Sequence, residues 1–583
     1  MKPIKLSLTL TLPLILLCSC SKPEAEVEKA AEYAKPAYTF ADAKSNQDAV
    51  QFTDFTKNAG VEFLHETGAF GKKWMPETTG SGVGFLDYNS DGKPDLFIVN
   101  STFWNGHEKS NNRPTQKLYR NLGQGKFKDV TKEAGLALSF YGMGCAFADY
   151  DSDGDMDIYI SAWGDNKLMR NDKGKFKDVA AALKVLGNSN IASEPPAWST
   201  GVAWVDIDRD GWLDLFVCNY VKWTPETDVF ATMDGKSKSY ATPDLYQGQS
   251  CRLYRNIKGK RFEDITKKAG VFNPEGKSLG VAIADFDKDG WPDLVISNDT
   301  QPNFLYMNNR DGTFTDAGLA AGVAYDEAGR ARAGMGIDIA DIKNSGELSI
   351  AIGNFSQEPL SLFTQTGGGL FQDMAGKARL NKPSLLSLTF GLIFQDLDLD
   401  GFVDLFIANG HVEPEINAVL QEVTYAQSPQ IFINNKKGQF FEAATQVDQK
   451  ASEPIVARGL ASADIDNDGD LDLALTTNGG AVKLLRNDLS GSERNWLKIS
   501  LKGKAPNRNA IGAKVVVYSG DLKQTKMLRT GSSYLSQSYI EELTFGLGSN
   551  TSVDSVMVQW PTTGKIDKFS VATIREKHIF SEK

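Results

Sequence analysis

Asp87-Tyr-Asn-Ser-Asp-Gly-Lys-Pro-Asp95 decides how this chain is read, because five further stretches share its frame. They are Asp149–Asp157, Asp206–Asp214, Asp285–Asp293, Asp396–Asp404 and Asp464–Asp472. A seventh, Asp341-Ile-Lys-Asn-Ser-Gly-Glu-Leu-Ser349, keeps the spacing and Gly346 but has lost most of its carboxylates. The starts lie 62, 57, 79, 56, 55 and 68 residues apart. Self-similarity at such a period marks a repeat architecture, in which each unit buries its apolar face only against its neighbours.

Every copy has the same surroundings. A short run such as Gly82-Val-Gly-Phe-Leu86 or Gly280-Val-Ala-Ile-Ala284 precedes the loop, and an apolar run such as Leu96–Val99 or Leu294–Ile296 follows it. These runs are too short for helices and end in turn residues, so they read as strands. A third element ends in Asn: Leu118-Tyr-Arg-Asn121, Leu168-Met-Arg-Asn171, Leu253-Tyr-Arg-Asn256, Leu305-Tyr-Met-Asn308, Ile431-Phe-Ile-Asn434 and Leu484-Leu-Arg-Asn487. A fourth is Phe-x-Asp, at Phe127, Phe176, Phe262, Phe314 and Phe371, with a weaker copy at Phe441. Four strands in each of seven repeats predict an all-β, seven-bladed β-propeller over residues 51–490, in which closure removes exposed sheet edges. The last loop has a third strand but no Phe-x-Asp after it, whereas Phe52-Thr-Asp54 stands unpartnered before the first. The N-terminal strand is therefore expected to complete the final blade.

The loop pattern is D-x-[DN]-x-D-G-x-x-D. Oxygens at positions 1, 3 and 5, a carbonyl at 7 and Asp at 9 form a hard-cation set that suits calcium better than zinc or magnesium. The expected ligands are Asp87, Asn89, Asp91 and Asp95; Asp149, Asp151, Asp153 and Asp157; Asp206, Asp208, Asp210 and Asp214; Asp285, Asp287, Asp289 and Asp293; Asp396, Asp398, Asp400 and Asp404; and Asp464, Asp466, Asp468 and Asp472. An EF-hand would need Glu at position 12 and a following helix, and neither is present. Loops and frame together resemble the FG-GAP/VCBS-type repeats of integrin α-chain propellers. That resemblance implies one calcium per intact loop, about six ions. Lys343 stands where a ligand belongs in the degenerate loop, so no ion is expected there.

After Asn487 the period stops. Asn495–Leu501, Ala513–Tyr518, Gln524–Thr530 and Val553–Trp560 read as strands of a small C-terminal β domain, placed at 493–583. Asn495-Trp496-Leu497, Ile511-Gly-Ala513, Gly531-Ser-Ser-Tyr-Leu-Ser-Gln537, Phe545-Gly-Leu-Gly548 and Val558-Gln-Trp-Pro561 resemble the ASPIC/UnbV domain. The combination resembles the cartilage acidic protein-like family, which implies an extracytoplasmic calcium-binding protein with no settled biochemical activity.

The chain has 583 residues, 63 Lys+Arg against 74 Asp+Glu, and a pI near 5.2. An acidic balance argues against general nucleic-acid binding, which draws most of its affinity from a basic face. Lys2 and Lys5 precede an apolar run from Leu6 to Leu17, too short to span a bilayer. Leu17-Cys18-Ser19-Cys20 resembles a bacterial lipobox, with residues 1–19 as signal peptide and Cys20 as the acylated residue; ordinary secretion with cleavage nearby is the alternative, and acylation at Cys18 a weaker variant. Residues 20–50 read as a solvated tether. No Asp follows Cys20, which by the lipoprotein sorting pattern implies outer-membrane retention in a Gram-negative-type envelope. The membrane would be met only through this lipid.

A ligand face is expected opposite the acidic loops, where long insertions fall at Ser101–Gln116, Val221–Ser250 and Gly410–Pro429. Its candidates are Tyr141, Trp198, Trp223, Arg330, Arg332, His411 and Arg458, an aromatic and basic set suited to a glycan or protein ligand. The expected role is a binding or adhesion module. An enzyme on the same scaffold, a carbohydrate lyase or hydrolase at the channel mouth, and a purely structural envelope protein are the alternatives; an acid–base cluster at the mouth would favour the enzyme. Gly276-Lys-Ser-Leu-Gly280 lacks the strand-to-helix setting of a nucleophile elbow, and the four histidines form no zinc motif. Cys218 and Cys251 fall on neighbouring strands and are read either as a disulfide or as two reduced thiols.

Overall fold

The computed structural model describes residues 50–188, 194–443, 451–489 and 494–583. The lipobox, Cys20 and nearly all of the tether lie outside these residues. Among the described residues no helix is long and apolar enough to cross a membrane.

Residues 50–489 form seven four-stranded antiparallel sheets, an all-β arrangement that fits a β-propeller. In six of them the strands follow chain order, as in the first: Val83–Leu86, Asp95–Ile98, Lys117–Gly123 and Lys126–Asp129. The seventh takes three strands from Ala457–Ala463, Asp472–Thr477 and Lys483–Asn487. Its outermost strand, Phe52–Asp54, comes from the other end of the chain, with Phe52 opposite Asn487. The unpartnered Phe-x-Asp thus lies where its sequence placed it. The first strands of neighbouring sheets touch in chain order, and that of the first sheet touches that of the last. Glycines permit this approach: a Cβ on Gly336 would lie 2.0 Å from the Phe390 carbonyl oxygen, and one on Gly201 2.8 Å from that of Leu279.

The two recurrent motifs have physical roles. The Phe of Phe-x-Asp is buried at Phe127, Phe176, Phe262, Phe314 and Phe371. In the sixth repeat the buried ring opposite Asn434 is Phe440 rather than the expected Phe441. Where the preceding acidic loop has an aromatic second residue the rings meet, as with Tyr150 and Phe262 at 5.8 Å and Phe286 and Phe371 at 5.6 Å. The motif's Asp turns back on the chain. Asp129 Oδ1 accepts from the Thr131 backbone N–H at 2.9 Å and Asp264 Oδ1 from that of Thr266 at 3.0 Å, starting the turn toward the next sheet.

The third-strand Asn joins the sheets. Its side-chain amide donates to the carbonyl of the second residue in the preceding acidic loop: Asn171 to Tyr88, Asn256 to Tyr150, Asn308 to Ile207, Asn434 to Ile342 and Asn487 to Leu397, all at 2.8–2.9 Å. Gln365 makes the same bond to Phe286 at 2.8 Å, in the one repeat that lacks the Asn. Asn121 reaches Ile465 in the last loop at 2.9 Å, so the series of seven returns to its start.

The C-terminal domain packs a four-stranded sheet (Leu522–Met527, Lys514–Ser519, Ser555–Gln559, Ile566–Phe569) against a three-stranded one (Leu543–Gly548, Asn495–Lys502, Lys577–Ser581). Val515, Val517, Val556, Leu497, Phe545 and Trp560 fill the space between them. Gln524–Thr530, expected as one strand, leaves the sheet after Met527 and continues into the propeller. Asn256→Ala leaves two buried carbonyls, of Tyr150 and Leu213, without their amide donor. At about 1–3 kcal/mol per orphaned group this variant should lose about 3 kcal/mol of stability. Urea denaturation measures it, and a loss below about 1 kcal/mol would refute the joining role.

Candidate metal centres and the filled channel

Each acidic loop connects the first strand of its sheet to the second, so all seven lie at one end of the ring. The Asp at position 1 organises the turn. Its Oδ2 accepts from the N–H of the loop glycine in all seven copies, for example Gly154 to Asp149 at 3.0 Å and Gly401 to Asp396 at 2.9 Å. The Asp at position 9 ties the loop to the sheet. Asp157 Oδ1 accepts from Asn171 N–H at 2.7 Å and Oδ2 from Tyr150 N–H at 3.1 Å, and the other five intact loops repeat both bonds.

These anchors bring carboxylates together. In five loops three ligand oxygens lie within 4.8 Å of one another: Asp149, Asp151 and Asp157; Asp206, Asp208 and Asp210; Asp285, Asp287 and Asp289; Asp396, Asp398 and Asp404; and Asp464, Asp466 and Asp472. The first loop replaces one carboxylate with Asn89, whose amide donates to Asp91 at 3.0 Å. In the fifth, Asp341 accepts from the N–H groups of Ser345 and Gly346. Lys343 projects instead toward Gly438 in the next repeat.

Whether a cation fits is answered by oxygens that lack a partner. Asn89 Oδ1, Asp151 Oδ1, Asp206 Oδ1, Asp285 Oδ1 and Asp466 Oδ1 are buried with no hydrogen-bond donor, each within an acidic loop. A buried oxygen left so costs free energy, and a carboxylate costs more. Burial, reinforced by neighbouring aspartates, pushes Asp95 up to about 8, and Asp149, Asp206 and Asp293 up to about 7. Asp157, Asp214 and Asp472 rise well above the usual range for the same reason. An all-oxygen, electron-rich donor set of this kind fits a hard divalent cation.

The C-terminal domain covers this same end of the ring. Glu541 Oε1 accepts from Asp87 N–H at 3.0 Å, Arg508 Nε donates to the Ser152 carbonyl at 3.2 Å, and Arg209 Nε donates to the Pro561 carbonyl at 3.0 Å. Lys498 pairs with Asp464. From this cover the segment 529–541 enters the channel. Gln537 Oε1 accepts from Phe147 N–H at 3.0 Å, Ser533 exchanges backbone bonds with Ile337, and Thr530 bonds both backbone groups of Trp204. The innermost strands, whose edges face the channel, gain partners in this way. The tip, Tyr534, is fully buried and donates to the Thr79 carbonyl at 3.0 Å.

The far end of the channel is closed too. Tyr141, Trp198 and Trp223 are buried in one apolar cluster with Trp104, Met143, Phe390, Tyr534 and Leu535. Trp104 stacks on Tyr141 at 4.4 Å and meets Trp223 at 5.6 Å. Arg458, wholly buried, spends its guanidinium on the carbonyls of Thr78, Gly410, Ala457 and His411 and lies 3.9 Å above the Phe390 ring. His411 is buried, its Nδ1 accepting from Glu413 N–H at 3.0 Å. The open aromatic and basic mouth expected from sequence is therefore a sealed core, because the insertions fold onto one another and onto the plug. Arg332 is largely buried between Asp326 and Asp373. Of the seven face candidates only Arg330, paired with Asp326 at 3.0 Å, keeps an exposed side chain.

Two groups here escaped the sequence reading. Glu77 is 1% exposed; one carboxylate oxygen accepts from the Tyr240 hydroxyl at 3.1 Å and the other has no partner, and burial raises it to about 7. Asp299 accepts from Tyr220 at 2.5 Å and is likewise raised to about 7 by burial. Neither belongs to a motif, so no spacing announced them. Cys218, in the strand Asp214–Asn219, and Cys251, just before the adjacent strand Arg252–Asn256, are buried free thiols.

Comparison with known proteins agrees with the repeats. The family described as "FG-GAP-like repeat" matches residues 87–160, 149–217, 227–296, 285–352 and 396–475, more than half of the chain, and "ASPIC and UnbV" matches 503–583. Cartilage acidic protein 1 of Homo sapiens is 26% identical over 74% of this chain, and that of Xenopus tropicalis 28% over 74%. The matched region spans 61% and 62% of those proteins. A solved structure of an Agrocybe aegerita lectin, described as recognising non-reducing terminal N-acetylglucosamine, is 16% identical with a TM-score of 0.35, covering 62% of this chain and 79% of the lectin.

The raised carboxyls set the pH response of the cation-free protein. A folded-state pKa near 7 to 8 against about 3.9 unfolded means the folded chain binds these protons more tightly. Their stabilisation is complete below about pH 4 and is lost as pH rises through 7–8. Melting temperature without cations should fall steadily from pH 5 to pH 8, and a flat or rising curve by calorimetry would contradict the geometry.

Proposed function

We propose that this chain, which belongs to the FG-GAP-like repeat family, is a seven-bladed propeller held by calcium that serves as an extracytoplasmic binding or adhesion module. The observation that carries the calcium reading is the set of buried loop oxygens without donors, repeated from sheet to sheet. Residues at positions 1, 3, 5 and 9 would hold the ion, which would supply the positive charge that crowded carboxylates lack. The chain's own groups do the rest: position 1 fixes the turn, position 9 joins loop to sheet, and the third-strand Asn joins sheet to sheet.

The binding surface follows from what remains open. The C-terminal domain takes the acidic-loop end, so a partner meets the insertion end. There Phe230 is 64% exposed, and Leu245 and Val419 are also exposed, as is Arg330. The buried aromatics stiffen the insertions that carry these residues. A glycan or a protein ligand fits such a rim, and a rigid scaffold displaying long loops is the usual setting for recognition. The signal-like N-terminus and Cys20 would fix the module to the outer membrane of a Gram-negative-type envelope by acylation.

One observation favours a second reading, an enzyme acting on carbohydrate. Glu77, raised to about 7 by burial, has a free oxygen and a tyrosine partner but is 1% exposed beneath the Val221–Ser250 insertion, so this reading requires that insertion to lift for a substrate to enter. Glycan-array binding run beside a turnover assay separates the two. Binding without turnover, unchanged in Glu77→Gln, supports the module; turnover abolished by Glu77→Gln supports the enzyme.

Excess EGTA should lower the melting temperature by about 10 °C or more, and added calcium should restore it, since each ion bound only by the folded chain at a hundred times its Kd adds about 2.7 kcal/mol. An unchanged melting curve would remove calcium from the account.

A further inference from the structure

The C-terminal domain does not cover the acidic-loop end evenly. It bonds the first, second, third, sixth and seventh loops through Asp87, Ser152, Arg209, Asp396 and Asp464. Among the described residues no hydrogen bond or salt bridge joins it to the fourth loop, Asp285–Asp293, or to the fifth, Asp341–Ser349. Between these loops and the domain's four-stranded sheet lies a cleft of about 530 Å³. That is the size of a small-molecule site, about 300–1,000 Å³. Val515, Val517 and Val556 point into the domain's own core, so strand alternation turns Lys514, Val516, Tyr518 and Met557 the other way, into the cleft. Val516 stands opposite Thr525 on one side and Met557 on the other, a largely apolar row across the middle of this wall. Across from it the propeller offers Ile339 and Phe394. The degenerate fifth loop adds Asn344, Ser345 and Gly346, and its one remaining Asp, Asp341, is spent on the N–H groups of Ser345 and Gly346.

Charge inside the cleft is unbalanced. Asp338 is paired with Arg529 at 2.6 Å, Glu542 with Lys577 at 2.8 Å, and Asp464 with Lys498. Lys288 is paired with Glu347 at 2.9 Å, and Lys526 donates to the Thr544 carbonyl at 2.5 Å. Lys514 and Lys523 are left over. Neither makes a salt bridge among the described residues, although Lys514 lies in the field of Asp285. Lys514 stands opposite Met527 and Lys523 opposite Tyr518, one row to either side of Val516. We propose that this cleft binds a small amphiphilic anion, its apolar body on Val516 and Met557 and its acidic group at the two lysines. Burial of the body supplies affinity, and the acidic group gives the lysines the charge-assisted partner that the chain does not. The site stands apart from the insertion rim, and neither depends on the other.

The probe is 8-anilinonaphthalene-1-sulfonate, with N-phenyl-1-naphthylamine as the same body without the acid. Fluorescence titration of the full chain, in excess calcium, should show one sulfonate site per chain. Lys514→Gln combined with Lys523→Gln should weaken the sulfonate about tenfold or more and leave the uncharged amine unchanged. Val516→Trp fills the cleft and should abolish binding of both. Should that variant fail to fold, Thr525→Trp, opposite it on the neighbouring strand, serves. Sulfonate binding that is absent, or that keeps its strength in the lysine pair or in the tryptophan variants, overturns the proposal, whatever the insertion rim binds.

Discussion

A single amide at the end of each third strand holds the ring of sheets in register. Its backbone N–H grips the last Asp of its own acidic loop, and its side chain reaches the previous one. Loop geometry and sheet spacing are therefore one constraint. A loop that loses its shape releases the carbonyl that the next sheet needs, and a misplaced sheet pulls on the loop behind it. The fifth repeat shows how strongly the bond is required. Its loop has given up most of its carboxylates, its third strand has lost the Asn, and yet Gln365 supplies the same donor to the same kind of acceptor.

The C-terminal domain is better understood as the filling of the propeller than as an appendage. One part lies across the acidic loops, and another runs inward to donate and accept along the innermost strands. An empty channel lined by strand edges would leave backbone groups unsatisfied in a confined space. The plug answers that need from one end and the folded insertions meet it from the other, around Tyr534. Filling from both ends directs recognition to the rim of the insertions, away from the axis.

Much of this was legible in the chain. The nine-residue frame announced the loops, their period announced the sheets, and the missing Phe-x-Asp after Leu484 announced that Phe52–Asp54 would pair with the last strand. These signals are local and repeated, so each copy corroborates the others. The plug left no comparable trace. Gly531-Ser-Ser-Tyr-Leu-Ser-Gln537 occurs once, is neither amphipathic nor charged, and takes its conformation from strands hundreds of residues away. The exposure of Trp198, Trp223 and Arg458 was misjudged for the same reason. Position in a connecting loop predicts the surface only when nothing else folds over it, and here a distant segment and three insertions do.

The sharing of the final sheet between the two ends of the chain has a temporal consequence. Phe52 is made early, its partner Asn487 more than four hundred residues later, and the plug later still. Until that pairing is made the ring of sheets cannot close, and an open ring carries two unpaired sheet edges of the kind that pair with a neighbouring chain. A transit route that delivers the whole polypeptide unfolded, and lets it compact only afterwards, would spare it that stage.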